Sequence, residues 1–493
     1  MKSIVIIGSG LGGLTLGNLL VKRGHNVTIL ESHNSPGGYT AGFKRKGFYF
    51  ESGTLAFESS SEVFKTMKQI GVLDKIDFIK HHFRYVSADF DATAKRYDDF
   101  KQVFYNAYPS SKKNLDSFFN EVDRMYHTFS SLMMNNKPPV LKQIGLINSG
   151  LKMINLLRKY GKETLSEFIG RHFKKDSLLY RYFINMGYPD MSAYILGGAF
   201  VTIFDDYWTV KSGIQLWADV LSNKYKENGG KLFLNSYVNK IITDGDKAVA
   251  VYCNGKRYDG DYIVSACDYK QTFLNLLDNK ALIPVELLNK IRDNAVSEGI
   301  FTVYLGLKIS NNKLKNILKS PHVNFFDEQD GKNIYDPTDE DFFKKISITL
   351  FSPSLLNAEH SPPDKSSLMI QGICPNNWMN RWGAGNKSEY KKLKEKVKND
   401  LIDKTEKIIP GLREYIDYDF AATPLTYERY THNTDGATSA WSWNPNNKFY
   451  KSFLNAYVTT SVKNLLISSC WATQIGGVPG ALQAANKCAK IIK

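Results

Sequence analysis

Apolar positions recur along the chain as short buried runs coupled to amphipathic stretches, at three places far apart in sequence. At the amino terminus, residues 3–7 (SIVII) form a β-branched run of the kind that makes a buried parallel strand. Glycines interrupt it, and residues 14–23 then carry apolar side chains at helical spacing until Gly24 stops the helix. Residues 26–30 (NVTIL) make a second strand that runs into Glu31. Mid-chain, a helix over 216–228 ends at Gly229-Gly230, and strands follow over 231–234 and 258–266 (YDGDYIVSA). At the carboxyl end, a strand over 464–469 leads to a helix over 481–492. This order predicts an α/β fold whose parallel sheet is assembled from separated stretches.

The intervening segments are patterned differently. Residues 78–204 read as mostly helical. Within them, 142–159 (KQIGLINSGLKMINLLRK) alternates Lys142, Lys152, Arg158 and Lys159 with Ile144, Leu146, Ile147, Leu151, Ile154, Leu156 and Leu157. That pattern fits a surface helix packed on its own core first, and a helix resting on a membrane second. Residues 281–450 alternate strands (300–307, 346–351, 368–373) with a charged helix (387–408), an α+β pattern.

Between the first strand and first helix lies Gly8-Ser9-Gly10-Leu11-Gly12-Gly13, a GxGxxG on Gly8, Gly10 and Gly13. Gly8 permits the tight turn, Gly10 lets backbone approach a diphosphate, and Gly13 lets the helix pack on the strand. The helix N-terminus adds free N–H groups and a partial positive charge. Glu31 is placed to accept hydrogen bonds from adenosine ribose hydroxyls, and its charge disfavours a 2′-phosphate and hence NADP. The first segment is therefore read as a Rossmann-type dinucleotide-binding unit.

Further blocks carry a family resemblance. Residues 35–40 (SPGGYT) and 43–53 (FKRKGFYFESG) are similar to the second glycine loop, and the aromatic segment after it, of flavoproteins that include amine oxidases and phytoene desaturases. The glycine loop 476–482 (GGVPGAL) opens the last helix with more N–H groups. Mid-chain, 206–213 (DYWTVKSG) and Tyr237-Val238-Asn239-Lys240-Ile241 resemble the turn and "V-x-x-I" strand of the same proteins. The block 422–430 (ATPLTYERY), with Gly436 beyond it, resembles the "TPxT" segment of their isomerase and saturase branch. On these motifs the chain is similar to the phytoene desaturase, carotenoid isomerase and retinol saturase family.

The resemblance implies FAD as cofactor, held by Gly8, Gly10, Gly12, Gly13, Glu31, Gly37, Gly38, Tyr39, Thr40, Val238, Ser469, Gly477 and Val478. It implies an FAD-dependent oxidoreductase acting on carbon–carbon bonds of a hydrophobic polyene or isoprenoid-type lipid, as desaturase or saturase. A flavin-dependent cis–trans isomerase, an amine oxidase and a non-catalytic flavin- or lipid-binding protein stand as alternatives. Candidate polar residues in the 281–450 segment are Tyr427, Glu428, Arg429, Tyr430 and His432, with Tyr430 and His432 suited to moving a proton beside the flavin. Two departures from relatives stand out. Tyr39-Thr40 replaces an arginine after the second glycine pair, and Ser469-Cys470-Trp471 follows the last strand where relatives have glycine. The expected organisation is FAD-binding parts at 1–77, 205–280 and 451–493, a helical substrate- or membrane-facing insertion at 78–204, and a sheet-containing substrate domain at 281–450.

Composition adds limits. At 493 residues the chain exceeds one hydrophobic core, and 43% hydrophobic with 23% charged residues is the balance of a globular protein rather than a disordered one. Lys+Arg number 64 against 49 Asp+Glu, a net +15 that suits anionic surfaces, but the lysines are dispersed and no nucleic-acid motif accompanies them. The expected partners are a hydrophobic small molecule and, through the basic surplus, peripheral contact with a membrane, with no nucleic acid. Five cysteines without a CxxC pair disfavour a disulfide framework or structural zinc. The apolar start passes directly into a glycine turn, unlike a signal peptide, so the expected location is cytoplasmic, including the inner face of a membrane. His81-His82 with Asp89 and Asp91 are the nearest thing to a metal set. Neighbouring strand residues face opposite ways, so no metal is expected.

Overall fold

The computed structural model describes residues 1–133, 139–332, 336–453 and 455–493, with backbone alone at 133 and 139–148. A five-stranded parallel sheet is drawn from all three predicted stretches. Its spatial order is Leu465–Ile467, Tyr262–Ser265, Ser3–Ile7, Asn26–Leu30, Lys231–Phe233. Helices cover one face and a three-stranded antiparallel sheet (Val238–Asp244, Lys247–Cys253, Lys256–Asp259) packs on the other, which is why the central strand is a continuous apolar run: Ile4, Val5 and Ile6 are each at most 2% exposed. The helix Leu11–Val21 is buried along its whole length between the sheet and the helices Gln215–Glu227 and Gly477–Ile491, as its all-round apolar sequence requires.

Three boundaries differ from the periodicity, for one reason: packing decides glycine-rich turns that local pattern leaves open. The first helix starts at Leu11 and the last at Gly477, so each has glycines in its opening turn. The run 258–266 divides, Lys256–Asp259 pairing in a three-stranded antiparallel sheet and Tyr262–Ser265 in the parallel one.

A seven-stranded sheet faces the open ends of the parallel strands. In order it comprises Ile416–Ala422, Gly299–Leu307, Ser366–Cys374, Ile348–Phe351, His322–Phe325, Phe83–Val86 and Asp91–Ala94. The last two come from the segment that reads as mostly helical; at four residues each, they are too short to carry a period against the helices around them. Behind this sheet lies an aromatic helical core that includes Phe100, Phe104, Phe118, Phe119, Phe183 and Phe200. Within the helix Pro139–Tyr160, Met153, Leu156 and Tyr160 are buried, while Leu151, Ile154 and Leu157 face outward beside Lys152, Arg158 and Lys159. The side chains of Lys142, Ile144, Leu146 and Ile147, from the same basic run, lie outside the described residues. Among the described residues no helix is long and apolar enough to cross a membrane, and all five cysteines are unpaired thiols.

Candidate functional site

One cavity of about 680 Å³ lies between the carboxyl ends of the parallel strands and the seven-stranded sheet. Its first wall is the GxGxxG turn, whose glycines do different work. Gly8 (φ +96°) turns the chain sharply, donating its N–H to Leu30 O at 2.8 Å. A Cβ on Gly12 would fall 2.1 Å from Ser468 O, and one on Gly13 would fall 2.2 Å from Gly8 O, so these two serve strand–helix packing. A Cβ on Gly10 would meet no atom within 4 Å, because it would project into the cavity. Opposite stands the second glycine loop. Gly37 donates its N–H to Ser9 O at 3.0 Å, Gly38 adopts φ +60° close to Gly10, and the Thr40 hydroxyl donates to Gly37 O at 2.7 Å. Two facing backbone loops, with the space over Gly10 left open, form a cradle that a diphosphate fits.

Glu31 closes one end of this cradle. Its carboxylate accepts from Ser9 N and Ser9 Oγ, both at 2.7 Å, and from His33 N at 2.9 Å. It is thereby fixed at the cavity wall, 9% exposed. Val238, buried at the start of its strand, lines the same end with Ser236 and Tyr237.

The other end is closed by the carboxyl-terminal segment. Gly477 and Val478 open the last helix, so its first N–H groups face the cavity, and Trp471 lines it beside them. The Ser469 hydroxyl donates to Cys267 O at 2.8 Å, so the side chain that replaces glycine folds onto backbone and leaves the cavity clear. Tyr39, in place of arginine, donates to Gly436 O at 3.0 Å and stacks on Tyr427 (ring centroids 5.8 Å apart, planes within 12°). Next to Gly477 lies Glu58, whose Oε1 would sit 3.7 Å from a Cβ placed there. Burial pushes the Glu58 carboxyl up to about 7, with the Asp206 charge adding to it.

Beyond Tyr39 the lining turns aromatic. Tyr304 and Phe420 stack at 4.6 Å with planes 10° apart, Phe43 meets Tyr304 edge-on at 5.4 Å, and Tyr427 stands behind them. The Tyr427 hydroxyl lies 2.7 Å from Thr302 Oγ1 and 3.3 Å from Tyr304 Oη. Burial raises the Tyr427 phenol above its ordinary value, so it stays protonated. Tyr304 and Phe420 look like ordinary core aromatics until strands Gly299–Leu307 and Ile416–Ala422 bring them together, while Phe43 belongs to the aromatic segment 43–53.

The Thr-Pro-x-Thr block is a helix start. Thr423 Oγ1 accepts from Thr426 N, Thr426 Oγ1 accepts from Thr423 N, and Pro424 occupies the first turn of the helix Pro424–Thr431. The signal was present in the sequence as a capping box. This helix places Tyr430 against the His33 ring (5.6 Å) with Arg429 over it (5.0 Å). His432, beyond the helix end, meets Tyr237 at 5.2 Å. Tyr430 and His432 therefore line the cavity at the Glu31 end, and Tyr430 is 47% exposed. The cavity's phenols at the Gly477 end are Tyr39 and Tyr427.

The His–Asp group is dispersed. His81 Nε2 lies 2.8 Å from His322 Nδ1, with burial holding His81 down at about 4, and Asp91 is tied to Arg84 and Lys319. No group of three or more potential ligands gathers among the described residues.

Comparison with known proteins agrees with this geometry. The carrot (Daucus carota) chloroplastic prolycopene isomerase is 24% identical over 88% of this chain and 71% of its own length. A 4,4′-diapophytoene desaturase from Methylomonas is 24% identical over 93% and 90%. The zebrafish (Danio rerio) all-trans-retinol 13,14-reductase is 21% identical over 99% and 85%. Among solved structures, wild-type putrescine oxidase bound to putrescine superposes with a TM-score of 0.67 at 13% identity, covering 100% of this chain and 98% of that one, a likeness of fold. The family model "flavin containing amine oxidoreductase" matches residues 11–493. With a cradle shaped for its diphosphate, the chain belongs to the flavin-containing amine oxidoreductases and is an FAD-dependent oxidoreductase.

Proposed function

We propose that the protein acts on carbon–carbon bonds of a hydrophobic polyene or isoprenoid-type lipid, as a desaturase or saturase. One observation carries this reading: a single cavity runs from the two glycine loops to an aromatic shelf of Phe43, Tyr304, Phe420 and Tyr427. Bound FAD would supply two-electron chemistry, taking or giving hydride. The chain's own tasks follow from the geometry. Gly10, Gly37 and Gly38 would seat the diphosphate on backbone, and Glu31 would fix the adenosine ribose. Tyr430, His432 and Tyr237 would wall the adenosine, a role that suits their place better than proton transfer. Gly12 and Gly13 would hold the first helix against the sheet, and Thr40 would brace the second glycine loop. Val238 would line the adenine side, and Ser469, Gly477 and Val478 would close over the ring, excluding water.

Saturating a C=C bond, or forming one by desaturating a CH–CH unit, moves a proton as well as a hydride, and Tyr427 Oη, hydrogen-bonded to Thr302 and Tyr304, would hold it. The relatives with isomerase and reductase names favour a second reading on the same site, cis–trans isomerisation assisted by reduced flavin, since stacked rings would hold a polyene flat in either reaction. Peripheral membrane contact through Leu151, Ile154 and Leu157 with their basic neighbours would deliver such a lipid.

The test is anaerobic mixing of the FAD-loaded protein, oxidised or reduced, with C20 and C30 polyenes, reading flavin absorbance and product double bonds together. A flavin redox change matched by a gain or loss of double bonds supports the oxidoreductase reading. Geometric isomers without net redox change support the isomerase. An unresponsive flavin and unaltered polyenes would overturn both.

A further inference from the structure

The cavity's charges are lopsided. Four cations line it, Lys44, Arg45, Lys394 and Arg429, against one carboxylate, Glu31, already engaged by Ser9 and His33. Among the described residues none of the four has an ion pair, although cations just outside the lining do. Lys398, one turn beyond Lys394 on the same helix, pairs with Glu395 and Asp419, and Arg381 pairs with Glu428 and Asp435 beside Arg429. The strand Ile416–Ala422 separates Arg45 from the paired cations by face. On one face Asp417 meets Lys365 and Asp419 meets Lys398. On the other, Phe420 meets Arg45, whose guanidinium lies 4.6 Å from the ring centre and 5.6 Å from that of Phe43.

A dinucleotide accounts for only part of this surplus. Its diphosphate belongs at the Gly10–Gly38 cradle, and Arg429, over Tyr430 and next to His33, stands on the adenosine side. Arg45 and Lys44 lie on the hairpin of Gly42–Arg45 and Phe48–Glu51, above the aromatic shelf that the dinucleotide motifs leave unused. The Arg45 side chain is exposed, and with its guanidinium carbon 4.6 Å from the Phe420 ring centre and no ion pair among the described residues, its N–H fork is open to a two-oxygen anion.

We propose that the aromatic end of the cavity selects a polyene lipid ending in a carboxylate, with the unsaturated chain lying along Phe43, Tyr304 and Phe420 and the carboxylate paired with Arg45, assisted by Lys44. The proposal rests on the polyene reading above and adds a head group to it.

The experiment titrates FAD-loaded protein with all-trans-retinoic acid and with its methyl ester at pH 8 and low salt. Tryptophan quenching and the flavin absorbance shift are read together, with Trp471 a reporter in the cavity wall. The acid is expected to bind roughly three- to five-fold tighter than the ester, the upper size of one solvent-exposed charge pair. Arg45→Gln should bring the two within twofold of each other, Arg45→Lys should restore part of the gap, and FAD content should be the same in all three proteins. Equal affinities in the unaltered protein, or an undiminished gap in Arg45→Gln, would overturn the proposal. Loss of FAD from Arg45→Gln would also overturn it, by assigning Arg45 to the cofactor. Turnover of neutral polyenes with no preference for the acid would remove the head group and leave the functional reading standing. A flavin indifferent to every polyene would remove both.

Discussion

The two ends of the cavity are built from different materials. At the glycine-loop end the ligand-facing surface is backbone: Gly10, Gly37, Gly38 and the first turns of two helices, backed by a parallel sheet whose strands are buried on both faces. At the aromatic end it is side chain: Phe43, Tyr304, Phe420 and Tyr427, projecting from antiparallel strands and a short helix. Backbone recognition requires particular residues at fixed positions, because only glycine leaves the space. Side-chain recognition tolerates exchange of one ring for another. On the proposed reading the first end would fix the cofactor and the second would set the substrate.

This contrast can be broken by substitution, the largest effect first. Gly10→Val should abolish FAD retention while the protein still folds, since its side chain projects into the cradle; far-UV circular dichroism and the 450 nm absorbance of purified protein check this. By comparison, Gly12→Val and Gly13→Val should fail to give soluble protein, because their Cβ atoms would lie 2.1 and 2.2 Å from backbone oxygens. At the aromatic end, Tyr427→Phe should keep FAD and lower the turnover of a polyene substrate by about 10²- to 10⁴-fold, the usual size of one lost proton-transfer group. Full activity in that variant would move the proton elsewhere. Glu31→Gln should weaken FAD about tenfold through one charge-assisted hydrogen bond and leave the affinity for riboflavin, which lacks the adenosine, unchanged; calorimetry with both ligands separates the two.

The smallest effect concerns the junction between the ends. Burial raises Glu58 to about 7, from an unfolded value near 4.5. Folding then favours its protonated form, so the stability it lends is fully present below about pH 4.5 and is lost as pH rises through about 7. Glu51 (about 8) and Glu298 (about 7) are raised by burial in the same direction. The Tm of the FAD-free protein should fall between pH 5 and 8, and Glu58→Gln should flatten that slope by roughly a degree or two. An unaltered slope would place Glu58 in a more solvated setting.

The same contrast explains what could be read from the chain alone. The glycine turn, Glu31, the second glycine loop and the last helix were legible because each is a local pattern with one physical solution. The sheet Gly299–Leu307, Ser366–Cys374 was legible as long β-rich runs, whereas Phe83–Val86 and Asp91–Ala94 were too short to stand out. The proton-transfer candidates Tyr430 and His432 were chosen by chemistry without position. Only the turn of the Pro424–Thr431 helix sets Tyr427 toward the aromatic shelf and Tyr430 toward His33. Arg45 was hidden for a different reason: its meaning lies in the missing carboxylate, and an absence of partners has no sequence signature.

The parallel sheet takes its second strand at Asn26–Leu30 and its outermost at Leu465–Ile467, with Ser468 O pressed against Gly12. On a ribosome adding 5–20 residues per second, the amino-terminal half of the nucleotide cradle waits roughly 20–90 s for the chain that completes it. The cradle is thus completed only once residues 465–467 have emerged, and a chain cut before them lacks the strand that seals the sheet.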